Sequence, residues 1–151
     1  MDGRIVRFEP WHIPLMKLRE DDPEATLLGT FGDLSDLAKY IDPTVLTGYT
    51  YIVDGQIVGA AGVTLMWEGV GHAWCVTSEQ VSRYPVQFCR AVKRGMSMVE
   101  NQLDLHRIHA YILEDNRRSL RWVRYLGFEQ EGIHRNFGPN RETFHVYVRL
   151  L

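Results

Sequence analysis

Asp54 and Gly55 sit between two runs rich in β-branched and aromatic residues, Tyr49 to Val53 and Ile57 to Met66. A type I′ turn needs positive φ at both central positions, which glycine supplies without strain and aspartate tolerates, so this pattern predicts a tight β-hairpin. A second turn at Glu68 to Gly71 leads into His72 to Val76 and extends the hairpin to a three-strand meander. At Pro85 the period changes: Cys89, Val92, Met96, Val99 and Leu103 recur at spacings of three and four, which places them on one face of a long helix. Gly95 is its one weak point.

On either side of this centre the signals are shorter. Arg4 to Phe8 reads as a strand, and Pro10 with Trp11, Leu15 and Leu18 as a helix that runs into the charged stretch Arg19 to Glu24. Asp33 is the expected N-cap of a second helix lined by Leu34, Leu37, Ala38 and Ile41 and stopped by Pro43. After the long helix come a strand at Ile108 to Leu113, a helix at Asn116 to Leu126 ended by Gly127, and strands at Phe128 to Ile133 and Thr143 to Leu150. Gly138, Pro139 and Asn140 form the turn between the last two. In 151 residues there is room for one core, so residues 1–151 are expected to form a single α/β domain.

Composition limits the environment and the chemistry. No apolar run approaches the roughly 20 residues that span a bilayer, and Met1 to Pro10 lacks the apolar core of a signal peptide, which predicts a cytoplasmic protein without membrane association. Cys75 and Cys89 lie in apolar stretches without metal or redox spacing, and His106 and His109, three apart along a strand, point to opposite faces. No metal site is expected, and His134 and His145 read as surface strand residues. Residues 1–79 carry 5 basic and 12 acidic groups and residues 80–151 carry 12 and 7, leaving the halves at −7 and +5. That asymmetry fits either a polyanionic ligand on the C-terminal half or attraction between the halves. Arg117, Arg118, Arg121 and Arg124 make an exposed basic helix face, for which nucleic acid is a lesser alternative to plain solvation.

From Tyr49 onward the chain resembles the GNAT superfamily of N-acyltransferases. The residues that carry the resemblance are Asn116, Arg117, Arg118 and Ser119, then Gly127 and Phe128, Glu131 and Gly132, and Arg135, spaced as in the branch that acetylates ribosomal proteins. The resemblance implies a central mixed, twisted sheet that splays at the fourth and fifth strands, with acetyl-CoA in the splay if the protein is active. Carried over residue by residue, it makes Cys75, Val76, Thr77, Arg83, Asn116, Ser119 and Trp122 the expected cofactor contacts. A backbone N–H near Cys75 or Val76 would then polarise the acetyl carbonyl.

Two departures stand against activity. The family's phosphate loop has two spaced glycines between the fourth strand and the long helix, whereas this chain places Gln80, Val81, Ser82, Arg83, Tyr84 and Pro85 there. Side chains hinder close backbone approach and proline removes a donor; only the charge of Arg83 offers a substitute. Many family members also carry a tyrosine seven residues after the asparagine, where this chain has Val123. Tyr125 is two residues further and rotated by about 200° on a helix. The remaining acid–base candidates are His72, Glu68, Glu79 and Glu114.

The run Trp74 to Val81 resembles the GNAT-like internal virion protein of T7-like podophages, a family that lacks the same two features. This resemblance implies a component of a phage assembly with protein partners, in the host cytoplasm or the virion, with weak or absent catalysis and no cofactor. The alternative is an acetyl-CoA-dependent N-acetyltransferase acting on a protein or small-molecule amine.

Overall fold

The computed structural model describes residues 3–19 and 46–151. The helix expected from Asp33 to Ile41, its stop at Pro43, and most of the run from Arg19 to Glu24 lie outside the described residues. Among the described residues there are seven strands: β1 (Gly3–Arg7), β2 (Leu46–Val53), β3 (Gln56–Trp67), β4 (Val70–Thr77), β5 (Arg107–Leu113), β6 (Glu129–His134) and β7 (Phe144–Leu150). Helix α1 (Pro85–Leu103) connects β4 to β5, and α2 (Arg117–Tyr125) connects β5 to β6. The sheet order is β1-β2-β3-β4-β5-β7-β6, antiparallel throughout except for the β4–β5 pair. This is the mixed sheet that the resemblance implies.

The hairpin forms as its dipeptide requires, with Asp54 at φ 49° and Gly55 at φ 76° between paired Val53 and Gln56. Gly69, at φ 80°, closes the second turn between Trp67 and Val70. The first helix differs from expectation. It is a 3-10 turn, Pro10–Leu15, because Pro14 inside it has no N–H for the α-helical ladder. Its tighter winding buries His12 and Ile13 and leaves Trp11 60% and Leu15 65% exposed, opposite to the face that α-helical spacing selects.

Helix α1 packs one stripe onto the sheet. Val99 is buried, and Cys89, Val92, Met96 and Leu103 pack half-buried against the same cluster, which also holds Val63, Ile108, Ala110, Val123 and Tyr147. Gly95 is part of this contact: it is buried, and a Cβ there would stand 3.4 Å from the Tyr49 ring, an ordinary van der Waals distance. Arg90, Lys93 and Arg94 face solvent as expected. Glu100 does not; it is half-buried and accepts from Arg149 Nε at 2.8 Å. Arg149 on β7 also donates through Nη1 to the Leu126 carbonyl at the end of α2 (3.2 Å), beside Gly127 at φ 90°. One guanidinium thus joins both helices to the sheet. On the opposite sheet face Phe8, Ile13, Met16 and Ala60 form a second cluster with Trp74 and Val76 packed against it.

Val99 is 2% exposed at the centre of the α1 stripe. Val99→Ala removes two methyl groups from a packed site and is expected to lower unfolding free energy by about 1–3 kcal/mol. Urea denaturation followed by far-UV circular dichroism measures this, and a loss near zero would mean that α1 does not pack on this face.

Candidate active site

The parallel pairing of β4 with β5 covers only Val70, Gly71 and His72 against Arg107, Ile108 and His109. Beyond it the strands part. Ala73 to Thr77 remain paired with β3 and Ala110 to Leu113 with β7, so each keeps one ladder and turns its other edge to the gap. The gap is a cleft of about 1330 Å³. Its α1 and α2 wall carries Phe88 and Trp122, stacked at 6.0 Å, with Trp122 Nε1 3.3 Å from Cys89 Sγ. The opposite wall carries Tyr111, Phe137 and Phe144. Asp115 is the one carboxylate among the described lining residues, against Arg19, Arg117, Arg118 and Arg121.

His72 and His109 stand side by side where the ladder ends, ring centroids 5.3 Å apart, and both meet the Tyr111 ring edge-on. Alternation along β4 and β5 puts both imidazoles on the face that carries Trp74. Burial drives the His72 pKa down to about 4, and the neighbouring His109 adds to the shift. His109 is also lowered, first by burial and then by the Arg107 guanidinium, against which Glu131 acts weakly. Both rings are therefore neutral at pH 7. Neither ring nitrogen of His109 has a hydrogen-bond partner among the described residues.

The segment between β4 and α1 is a 3-10 turn, Glu79–Ser82, capped by Ser78, whose hydroxyl accepts from Gln80 N. Its backbone donors are largely committed: Glu79 N–H goes to the Lys17 carbonyl, Val81 N–H to Ser78, Arg83 N–H to Gln80 and Tyr84 N–H to Val81. Pro85 has no donor. A diphosphate cradle depends on free N–H groups converging on one point. This loop does not fit a diphosphate without breaking its own hydrogen bonds.

The cleft brings together some of the residues singled out in the sequence and scatters others. Cys75, Val76, Thr77, Asn116, Ser119 and Trp122 line it, as does His72. Asn116 is buried and its side-chain oxygen accepts from Ser119 N at 3.2 Å, so its visible work is to cap α2. Arg83 is exposed and lies off the lining. Tyr125 is 63% exposed beneath the Lys93 ammonium, 3.8 Å from its ring centroid, and is not among the residues that line the cleft, although its neighbours Trp122 and Val123 are. Glu79 pairs with Lys17 at 3.4 Å and Glu114 with His145 at 3.2 Å, both outside the lining, and Glu68 is exposed in the β3–β4 turn. His134, exposed as expected, also touches Tyr111 and Phe137. The pairing of His72 with His109 and the aromatic wall went unread in the sequence, because residues 37 apart meet only through strand register. No group of His, Cys, Asp and Glu able to hold a metal occurs among the described residues, and no described helix is long and apolar enough to cross a membrane.

Neither a family model nor a curated relative matches the sequence. Solved structures do. A mutant spermidine N-acetyltransferase from Vibrio cholerae superposes with a TM-score of 0.71 at 11% identity, covering 97% of this chain and 94% of that one. A GNAT-family acetyltransferase from Bacillus anthracis gives 0.74 at 17% identity, covering 99% and 95%, and one from Streptococcus pneumoniae gives 0.69 at 13%, covering 99% of each. At these identities the likeness establishes the fold: this chain has the GNAT fold.

The buried histidines make stability depend on pH. The pKa of His72 is about 4 in the folded protein against an ordinary 6.5, and those of His109 and His12 are also lowered, so the unfolded chain binds more protons below pH 6.5. Stability is thus full above about 6.5 and falls as pH drops toward about 4, by an amount on the order of 1–3 kcal/mol from His72. Melting temperature measured from pH 7.5 to 4 should show this loss, and His72→Phe should flatten it. An unchanged slope in the variant would place the titration elsewhere.

Proposed function

We propose that the protein is an N-acyltransferase that takes acetyl-CoA into the cleft between β4 and β5. The observation that carries this reading is the parting of those strands after three pairs, which leaves a β4 edge from Ala73 to Thr77 beside an apolar cleft with neutral His72 at its vertex. The solved acetyltransferases of the same fold support it. The edge of β4 from Ala73 to Thr77 runs beside the space for a pantetheine arm and its acetyl group. Phe88 and Trp122 exclude water from one side of the arm and Tyr111, Phe137 and Phe144 from the other. Bound acetyl-CoA supplies an acetyl group activated as a thioester.

His72 is the group available to the incoming amine. A neutral imidazole whose conjugate acid has a pKa of about 4 is too weak a base to take a proton from an alkylammonium, whose pKa is about 10. The amine therefore enters as the free base, and a ring nitrogen of His72 accepts its N–H. The same nitrogen would take the proton as the amine nitrogen bonds to the carbonyl carbon and becomes strongly acidic, and would return it to the thiolate released as the C–S bond breaks. The aromatic wall, without a carboxylate, suits an apolar or aromatic amine better than a polycation.

A second reading is favoured by the β4–α1 loop, whose donors are engaged internally. In it the cleft is a remnant, and the protein is a virion or assembly component of the kind that the run Trp74 to Val81 suggests, with protein partners and no catalysis. Titration calorimetry with acetyl-CoA, followed by release of free thiol in the presence of a panel of arylalkyl amines, separates the two. The catalytic reading expects measurable binding and turnover, with His72→Phe lowering kcat by about 10–100-fold and leaving acetyl-CoA affinity within about threefold. Absence of binding at millimolar acetyl-CoA would overturn it in favour of the assembly reading.

A further inference from the structure

Four arginines of α2 are close in sequence but not equivalent in place. Arg124 lies over the Tyr147 ring, 5.7 Å from its centroid, whereas Arg117, Arg118 and Arg121 line the cleft. Arg117 and Arg121 are one turn apart on the same helix face, both exposed. Like charges at that spacing repel, and Arg117 stands in the first turn, at the positive end of the helix dipole, where acidic residues are normally preferred. The first turn of α2 contains no acidic residue, and Asp115, just before it, is the one carboxylate in the described lining. An arrangement that opposes both local preferences concentrates positive potential at the entrance to an otherwise apolar cleft.

Resting on the acyltransferase reading, we propose that Arg117 and Arg121 form the phosphate site of this protein, holding the phosphate groups of the CoA-type cofactor in place of the β4–α1 loop. The loop's N–H groups are committed to its own carbonyls and to Lys17, so charge must come from elsewhere, and these guanidiniums line the same cleft. Guanidinium is suited to the task, because its forked N–H donors match phosphate oxygens two at a time and remain charged at every relevant pH. Phosphate recognition by exposed side chains, unlike a backbone cradle, leaves the pantetheine arm to be read separately by the β4 edge.

The test is calorimetry of full-length protein with acetyl-CoA, with 3′,5′-ADP and with pantetheine, on wild type, Arg117→Gln/Arg121→Gln and Arg83→Gln. The double variant is expected to weaken acetyl-CoA and 3′,5′-ADP binding at least tenfold and to leave pantetheine binding unchanged. Its melting temperature should be equal or higher, since mutual repulsion is relieved. Wild-type affinity for 3′,5′-ADP should also fall steeply between 50 and 500 mM salt, as exposed charge pairs do on the order of these ionic strengths. Binding of 3′,5′-ADP through these arginines without any acyl transfer would sustain the phosphate site while removing the catalytic reading. Unchanged affinity in the double variant, weakening by Arg83→Gln alone, or no binding of either phosphorylated ligand by wild type would each overturn the proposal.

Discussion

The short parallel ladder between β4 and β5 governs the rest of the molecule. Strands β3 and β7 supply long antiparallel ladders to the outer edges of this pair, so β4 and β5 need not satisfy each other along their length. Three residues of each are enough to fix the relative positions of the two half-sheets. From there the right-handed twist of each half carries its strand away from the other, and helices α1 and α2 wall the resulting gap. The cleft is therefore a product of topology more than of any particular side chain.

What the sequence made legible follows from the range of the interactions involved. Asp54 and Gly55 define their turn through their own φ angles, and Pro85 and Gly127 bound their helices through local sterics, so hairpin and helices were readable from neighbours alone. Pro14 was equally local, yet periodicity across Trp11, Leu15 and Leu18 masked its effect on the first turn. The His72 and His109 pair depends on register between strands joined by a 19-residue helix, and nothing near either residue encodes that register. Tyr125, Glu79 and Glu114 were credible candidates by residue type, but rotation about α2, an ion pair with Lys17 and a hydrogen bond with His145 hold them away from the cleft.

The two parts of the cofactor site have separated fates because they rest on different chemistry. The arm's part uses strand edges and apolar walls, which the fold provides whenever its sheet splays. A diphosphate cradle instead requires specific backbone donors to stay unpaired. The turn from Ser78 to Tyr84 commits those donors, through the Ser78 cap, successive i to i−3 bonds and the bond from Glu79 N–H to the Lys17 carbonyl. Residues with side chains settle readily into such a turn, whereas a glycine loop resists it through its entropy.

Arg149 gives the cleft a mechanical character. By binding Glu100 on α1 and the Leu126 carbonyl at the foot of α2, it pins both walls to β7 at their deep end. A Cβ at position 127 would stand 2.7 Å from its Nη1, so the glycine is what lets the guanidinium reach in. With the deep end clamped in this way, the two walls share one anchor on β7. Because that anchor lies opposite Ile108, beside the histidine pair, any change in how Arg149 holds its two partners would reset both walls together at the vertex.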